Sequence, residues 1–369
     1  MPSAKSLKYP KNYTGQRLFA LACFLGSSDP KAVRDALTVL IRGLWFEHLR
    51  LETRQVTAYG VGKQIQPQTY KPATEGRWPQ HHNLWAKYAR GIHSPGPETV
   101  RAAEQLVPGS SELLIAVAWK ALDLSHPIGS NGDALLRRLR HGVQAAVFQP
   151  RPLQAGHYLR RTTPNLPLQM LECQADLDGL AALVILLREA YEAADYGRAF
   201  AIGRSMHAAL LLATSYTPLL LVASELFEFF VRKIFPLATS EEIAFDLHPA
   251  ELYEQMRLLN RTILQLEDGG KIRYTRGPPM RVWRKVLNLG FGFDLYFGLG
   301  PHWRLIKPPE ECSEASRDFV RSMNIGRKWG LSALRSGRPE PLLPSEVAAQ
   351  MAAARQASQI PTPSNRQQS

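Results

Sequence analysis

Apolar residues recur along this chain with the period of an α-helix, and the alternation that marks a strand is rare. The clearest stripe is Val33, Ala36, Leu37, Leu40, Ile41, Leu44, Trp45, His48 and Leu49. Asp29-Pro30 precedes it as an N-cap and first-turn pair, so the spacing predicts a long core helix with His48 on its apolar edge. Leu135, Leu136, Leu139, Val143 and Val147 predict a helix opening at Gly132 or Asp133. Leu177, Leu180, Ala181, Val184, Leu187 and Tyr191 predict another, followed by helices near 198–213 and 218–234. Pro249 opens one that carries Leu252, Met256, Leu259 and Ile263, and a last helix falls near 314–330. The apolar run from Ala208 to Ala223 is interrupted by Thr214, Ser215 and Thr217-Pro218. It falls short of the roughly 20 apolar residues a membrane-crossing helix needs, so it predicts a buried helical hairpin. The expected fold class is mainly α.

The segments between these stripes set the expected domains. Residues 1–15 read as a flexible basic leader. Residues 53–79, rich in Gly, Pro, Gln and Thr, read as a long loop. Pro150, Pro152, Pro164 and Pro167 place a boundary between 150 and 170. This gives a helical domain over 16–155 and a second all-helical domain over 170–332. A disordered tail is expected over 333–369, with a short helix after Ser345 as its one element. Within 271–285, Ile272 and Tyr274 alternate with Arg273 and Thr275 ahead of Gly277-Pro278-Pro279. Two readings stand there: a small β-hairpin forming a basic ribbon, or a peripheral loop. The Gly- and Phe-rich stretch 288–306 lacks the spacing of a phosphate-binding glycine loop and reads as irregular packing.

Residues 81–119 hold the most specific local pattern. His81-His82-Asn83-Leu84-Trp85-Ala86-Lys87-Tyr88-Ala89-Arg90 predicts a helix that Gly91 stops. Pro97 opens a second helix carrying Val100, Ala103 and Leu106, and Ser110 or Ser111 caps a third that buries Leu113, Leu114 and Val117. Tyr88-x-x-Gly91-x-x-x-Pro95, then Glu98-Thr99-Val100, Ala103, Leu106 and Glu112-Leu113, resembles the back half of the Cro/repressor-type helix-turn-helix domain. The resemblance is confined to residues 81–114. Pro67, Pro72, Gly76 and Pro79 stand where that family's supporting helix would lie. What it implies is a DNA-binding unit over 78–120, with His81, His82, Asn83 and Lys87 facing the major groove. The competing reading is an ordinary three-helix packing unit with Trp85 and Tyr88 in its core.

Charge narrows the partner. The formal net charge is +13, with 45% hydrophobic and 21% charged residues, and the isoelectric point is about 9.8. Such an excess favours a polyanion, although an arginine-rich composition of the kind a high-GC bacterial genome produces would raise it too. From Ala134 to Leu171 there are six arginines and no acidic residue, a run suited to phosphates. Phosphate contacts are expected from Lys87, Arg90, Arg137, Arg138 and Arg140. Arg273, Arg276, Arg281 and Arg284 form a second candidate surface. Cys23, Cys173 and Cys312 lie far apart, so neither a disulfide framework nor a metal site is indicated. No signal peptide, catalytic motif or cofactor site is recognisable. The expectation is a cytoplasmic, regulatory DNA-binding protein whose partner is double-stranded DNA, without membrane association, with the 176–235 helices as a candidate homo-oligomer surface. Alternatives are a non-enzymatic interaction or scaffold protein of a mobile element or defence system, and an enzyme acting on nucleic acid.

Overall fold

The computed structural model describes residues 13–27, 29–70, 83–163, 165–272, 280–338 and 340–356. Among them the chain is mainly α-helical, with one two-stranded antiparallel sheet, as the periodicity predicts. It packs as two compact units. The first joins the chain up to His126 with a return segment, Tyr216–Phe229, and the second joins Pro127–Ser215 with the chain from Phe230 onward. The division therefore falls ahead of the 150–170 stretch where the prolines placed it. Pro150 occupies the first turn of a short helix, the position where a missing N–H costs nothing.

In the first unit, α1 (Tyr13–Leu25) leads into α2 (Pro30–Glu52), which Asp29 caps by accepting from the Lys31 N–H at 2.9 Å. The expected long loop over 53–79 instead contains α3 (Ala58–Ile65), capped by Thr57. Its buried residues Ala58, Val61 and Ile65 keep helical spacing, but the helix is too short for the period to show against its Gly and Gln neighbours. Then come α4 (Leu84–Ala89), α5 (Pro97–Leu106), α6 (Glu112–Ile115) and α7 (Val117–Leu122). Trp45 of α2 organises this core. It stacks on Trp85 at 5.9 Å and meets the edge of Tyr88 at 5.8 Å.

The second unit starts with α8 (Asn131–Leu136) and α9 (His141–Val147), where a single helix was expected. The break is at Arg140, which is extended and donates its N–H to Asp178 Oδ2 at 2.9 Å. After α10 (Pro150–Gln154) and α11 (Asn165–Glu172) come the buried pair α12 (Leu177–Glu192) and α13 (Tyr196–Thr214). The chain then returns to the first unit through α14 (Ala223–Phe229), which delivers Glu225 to Arg17 of α1. The rest of the second unit comprises β1 (Ile243–Phe245), α15 (Pro249–Asp268), α16 (Met280–Leu287), α17 (Phe293–Gly298), β2 (Trp303–Leu305), α18 (Glu314–Ser336) and α19 (Ser345–Gln356). The strands pair Ile243 with Leu305 and Phe245 with Trp303.

The second arm of the 271–285 hairpin is helical: Trp283, Val286 and Leu287 are buried at helix spacing in α16. The chain beyond 333 is folded as far as it is described, because α18 runs to Ser336 and α19 packs on it, burying Met351. No single helix among the described residues is long and apolar enough to cross a membrane. The pair Tyr196–Thr214 and Leu219–Leu237 meets that length and apolarity only when joined across the Ser215–Pro218 turn.

Candidate functional site

In the first unit, α4 is six residues long and buries Trp85, Ala86, Tyr88 and Ala89. The Trp85–Tyr88 side packs on α2, as a packing helix or the inner face of a recognition helix would. Asn83 and Lys87 are exposed, and Asn83 makes no side-chain cap bond. Arg90 is half-buried and turns back on its own helix, with Nε donating to Ala86 O at 3.1 Å. Gly91 ends α4 with φ +74°, and a Cβ there would lie 2.8 Å from the Val39 carbonyl oxygen. Only glycine meets both demands. Among the described residues, the α-helix that precedes α4 is α3, which ends at Ile65.

The predicted phosphate ligands of the second unit separate by their partners. Arg137 is exposed with its guanidinium 4.7 Å above the Tyr158 ring. Arg138 is exposed and has no side-chain partner among the described residues. Arg140 is held by Asp176 at 2.5 Å. Arg284 is half-buried and joined to Glu172 at 2.5 Å, so it faces a cleft rather than forming part of an open ribbon. His81, His82, Arg273 and Arg276, together with the Arg281 side chain, lie outside the described residues.

The acid-free stretch also builds a concave site that the sequence did not single out. Residues 158–161 run antiparallel to 147–149, with Gln149 N–H donating to Leu159 O and Arg161 N–H donating to Val147 O. Neighbouring side chains on an extended segment point to opposite faces, so Arg160 and Arg161 diverge. Arg160 lies across Phe148 and pairs with Asp133 at 2.7 Å and Glu189 at 2.8 Å. Arg161 donates from Nη2 to Ala145 O at 2.9 Å. Both line a pocket of about 530 Å³ whose floor includes Val147, Leu186 and Ile202 and whose polar lining includes Thr162, Thr163 and Arg198. Burial pushes the Glu189 carboxyl up, and Arg160 and Arg198 oppose that. Gly132 leaves space for this carboxylate, since a Cβ there would meet Glu189 Oε1 at 2.0 Å. Three guanidiniums against two carboxylates leave the pocket with an excess of one positive charge.

Asp133, Glu189 and Arg198 come from three helices scattered in sequence, and nothing in their local spacing signals the assembly. The lack of acids around Arg160 and Arg161 was the one legible sign. Among the described residues no cluster of His, Cys, Asp and Glu could hold a metal ion. Comparison with protein-family models, curated proteins and solved structures found no match for this chain.

Proposed function

We propose that this chain binds nucleic acid through its phosphate backbone, with double-stranded DNA as the ligand. The observation that carries the reading is the arginine-rich segment 134–171, whose Arg137, Arg138 and Arg151 are exposed and which contains no acid to neutralise them. The Arg198-lined pocket adds positive charge to the same unit. In the first unit, Asn83 and Lys87 are the outward-facing groups that a helix-turn-helix-like unit would offer. Contacts of this kind fix position on the duplex and are largely blind to sequence.

The test is binding of random-sequence duplex by fluorescence anisotropy across a salt series. Affinity should fall steeply with salt, with a log–log slope of about −0.9 per phosphate neutralised. Lys87→Ala combined with Arg90→Ala should weaken binding if the α4 unit contributes. No binding at low salt would overturn the proposal and turn the search toward protein partners.

A further inference from the structure

A second cleft in the second unit, about 320 Å³, is formed by α11, α13, α16, α17, β2 and the start of the turn between α17 and β2. One wall is a fixed polar network. Glu172 accepts from Ser205 Oγ at 2.8 Å and from Arg284 Nε at 2.5 Å, and both Glu172 and Ser205 are buried. Arg284 thereby offers its remaining N–H groups from a held position.

Two further lining residues carry buried ring nitrogens. His207 and Trp303 are each 2% exposed, and Trp303 Nε1 makes no hydrogen bond among the described residues. Gln255, beside His207, donates to the carbonyls of Gly298 and Gly300. Buried polar groups are nearly always paired; the Gln255 side chain is the His207 ring's own hydrogen-bonding neighbour, so the Trp303 indole N–H is the lining donor that calls for a partner. Burial holds the imidazole neutral, its pKa pushed down to about 3. One ring nitrogen therefore donates and the other accepts, whereas the indole can only donate.

The rest of the lining supplies an apolar surface and a polar rim. Tyr296, Leu287, Leu299 and Met323 form the apolar part, while Arg204 and Asn288 are exposed at the edge. The volume lies at the small end of the range for ligand sites. A planar ring with alternating donors and acceptors on its edge would suit the Glu172–Arg284 wall, and an anionic group beside it would meet Arg204. A nucleotide combines these features.

We propose that this cleft binds a single nucleoside monophosphate unit, its base between the Tyr296 side and the Glu172–Arg284 wall and its phosphate at Arg204. The unit comes either from the free pool or from a nucleic-acid strand. The proposal does not require the duplex binding set out above.

The experiment is isothermal titration of the full chain with each of the four 5′-mononucleotides, followed by a short single-stranded oligonucleotide. Saturable binding of at least one probe is expected. Arg204→Ala should weaken it about tenfold, a loss of one charge-assisted contact. Ala208→Trp, which fills the cleft, should abolish it, and Lys31→Ala, an exposed position of the first unit, should leave it unchanged. Mononucleotide binding assigns the free pool as the source, and oligonucleotide binding without mononucleotide binding assigns a strand. Should Ala208→Trp fail to fold, Arg204→Ala decides alone. The proposal is overturned if no probe binds, or if binding keeps its full affinity in the variants that fold. Duplex affinity that persists in Ala208→Trp separates this outcome from the fate of the backbone-binding reading.

Discussion

Arg17 carries a full positive charge at a place with no solvent exposure. Its guanidinium is met on every side: Nε donates to Glu225 at 2.7 Å, and Nη1 donates to Glu47 at 3.1 Å and to the Ala89 carbonyl at 2.7 Å. Arg50 adds a second cation to Glu47 at 2.6 Å, so two arginines face two buried carboxylates. Burial pushes the Glu225 carboxyl up, and Arg17 works against it. Gly43 makes the room, since a Cβ there would lie 2.7 Å from Arg17 Cδ. Removing one member of such a network strands the others. Arg17→Met should cost about 3–5 kcal/mol in denaturant unfolding. Adding Glu225→Gln to it should recover part of that loss; simple additivity of the two changes would refute the coupling.

His207 is buried in the second unit. Its ordinary pKa is 6.5, and burial, with Arg327 assisting, lowers it to about 3 in the folded chain. Between those values the unfolded chain binds a proton that the folded chain refuses. The stabilising contribution is therefore complete above pH 6.5 and is lost as pH falls toward 3, at up to about 1.4 kcal/mol per pH unit. Carboxylates add their own pH dependence, so the comparison must be with His207→Leu. Going from pH 7 to pH 5, wild type should lose about 2 kcal/mol more than the variant in denaturant titrations. Equal losses would show that the imidazole titrates normally. Neither Arg17 nor His207 is legible as special in the sequence, because each is defined by what the fold places around it.

At the scale of elements, α17 and α18 approach so closely that backbone meets backbone. A Cβ on Gly298 would lie 2.6 Å from the Gly330 carbonyl carbon, and one on Gly330 would lie 2.6 Å from Asp294 O. Main-chain atoms cannot swing aside as a flexible side chain can. Gly330→Ala should destabilise the protein by about 1–3 kcal/mol through overpacking, although alanine is intrinsically the better helix former by up to about 1 kcal/mol. Gly197 in α13 is the control, since the nearest atom to an added Cβ is the N-cap Asp195 Oδ1 at an ordinary 3.9 Å. Gly197→Ala should leave stability unchanged or raise it slightly. If both substitutions behave alike in thermal unfolding, the close crossing is absent.

Elements were legible where an apolar stripe was long. The α2, α12 and α15 helices follow directly from their spacing and caps. Gly91 was legible as a helix stop because glycine has a specific backbone role there. The short elements were not. In α3 two turns of periodicity could not outweigh glycine and glutamine, and β1 and β2 span three residues each, too few for alternation to register. In α16 the sequence suggested a hairpin arm, yet Trp283, Val286 and Leu287 settle as a helix because that places all three on one buried face.

At the scale of the whole molecule, the +13 charge does not act as a uniform coat, and the arginines of segment 134–171 have different work. Arg160 is bound to two carboxylates and Arg161 to a carbonyl oxygen, while Arg138 and Arg151 are exposed with no partner among the described residues. The sequence could show that this stretch lacks acids, but not which cations fold-internal acids from α8 and α12 would claim. This sorting separates two effects that total charge would merge. Arg138→Ala and Arg151→Ala should each lower the magnitude of the salt slope of duplex binding by about 1 and leave unfolding unchanged. Arg160→Met should do the reverse. It leaves Asp133 and Glu189 without their shared partner in a partly buried pocket, so stability should drop by about 1–3 kcal/mol while the salt slope holds. If Arg160→Met instead cuts the slope as Arg138→Ala does, the carboxylates do not neutralise it toward a ligand, and the pocket itself belongs to the phosphate-binding surface. If none of the three changes the slope, segment 134–171 is not the surface that meets nucleic acid.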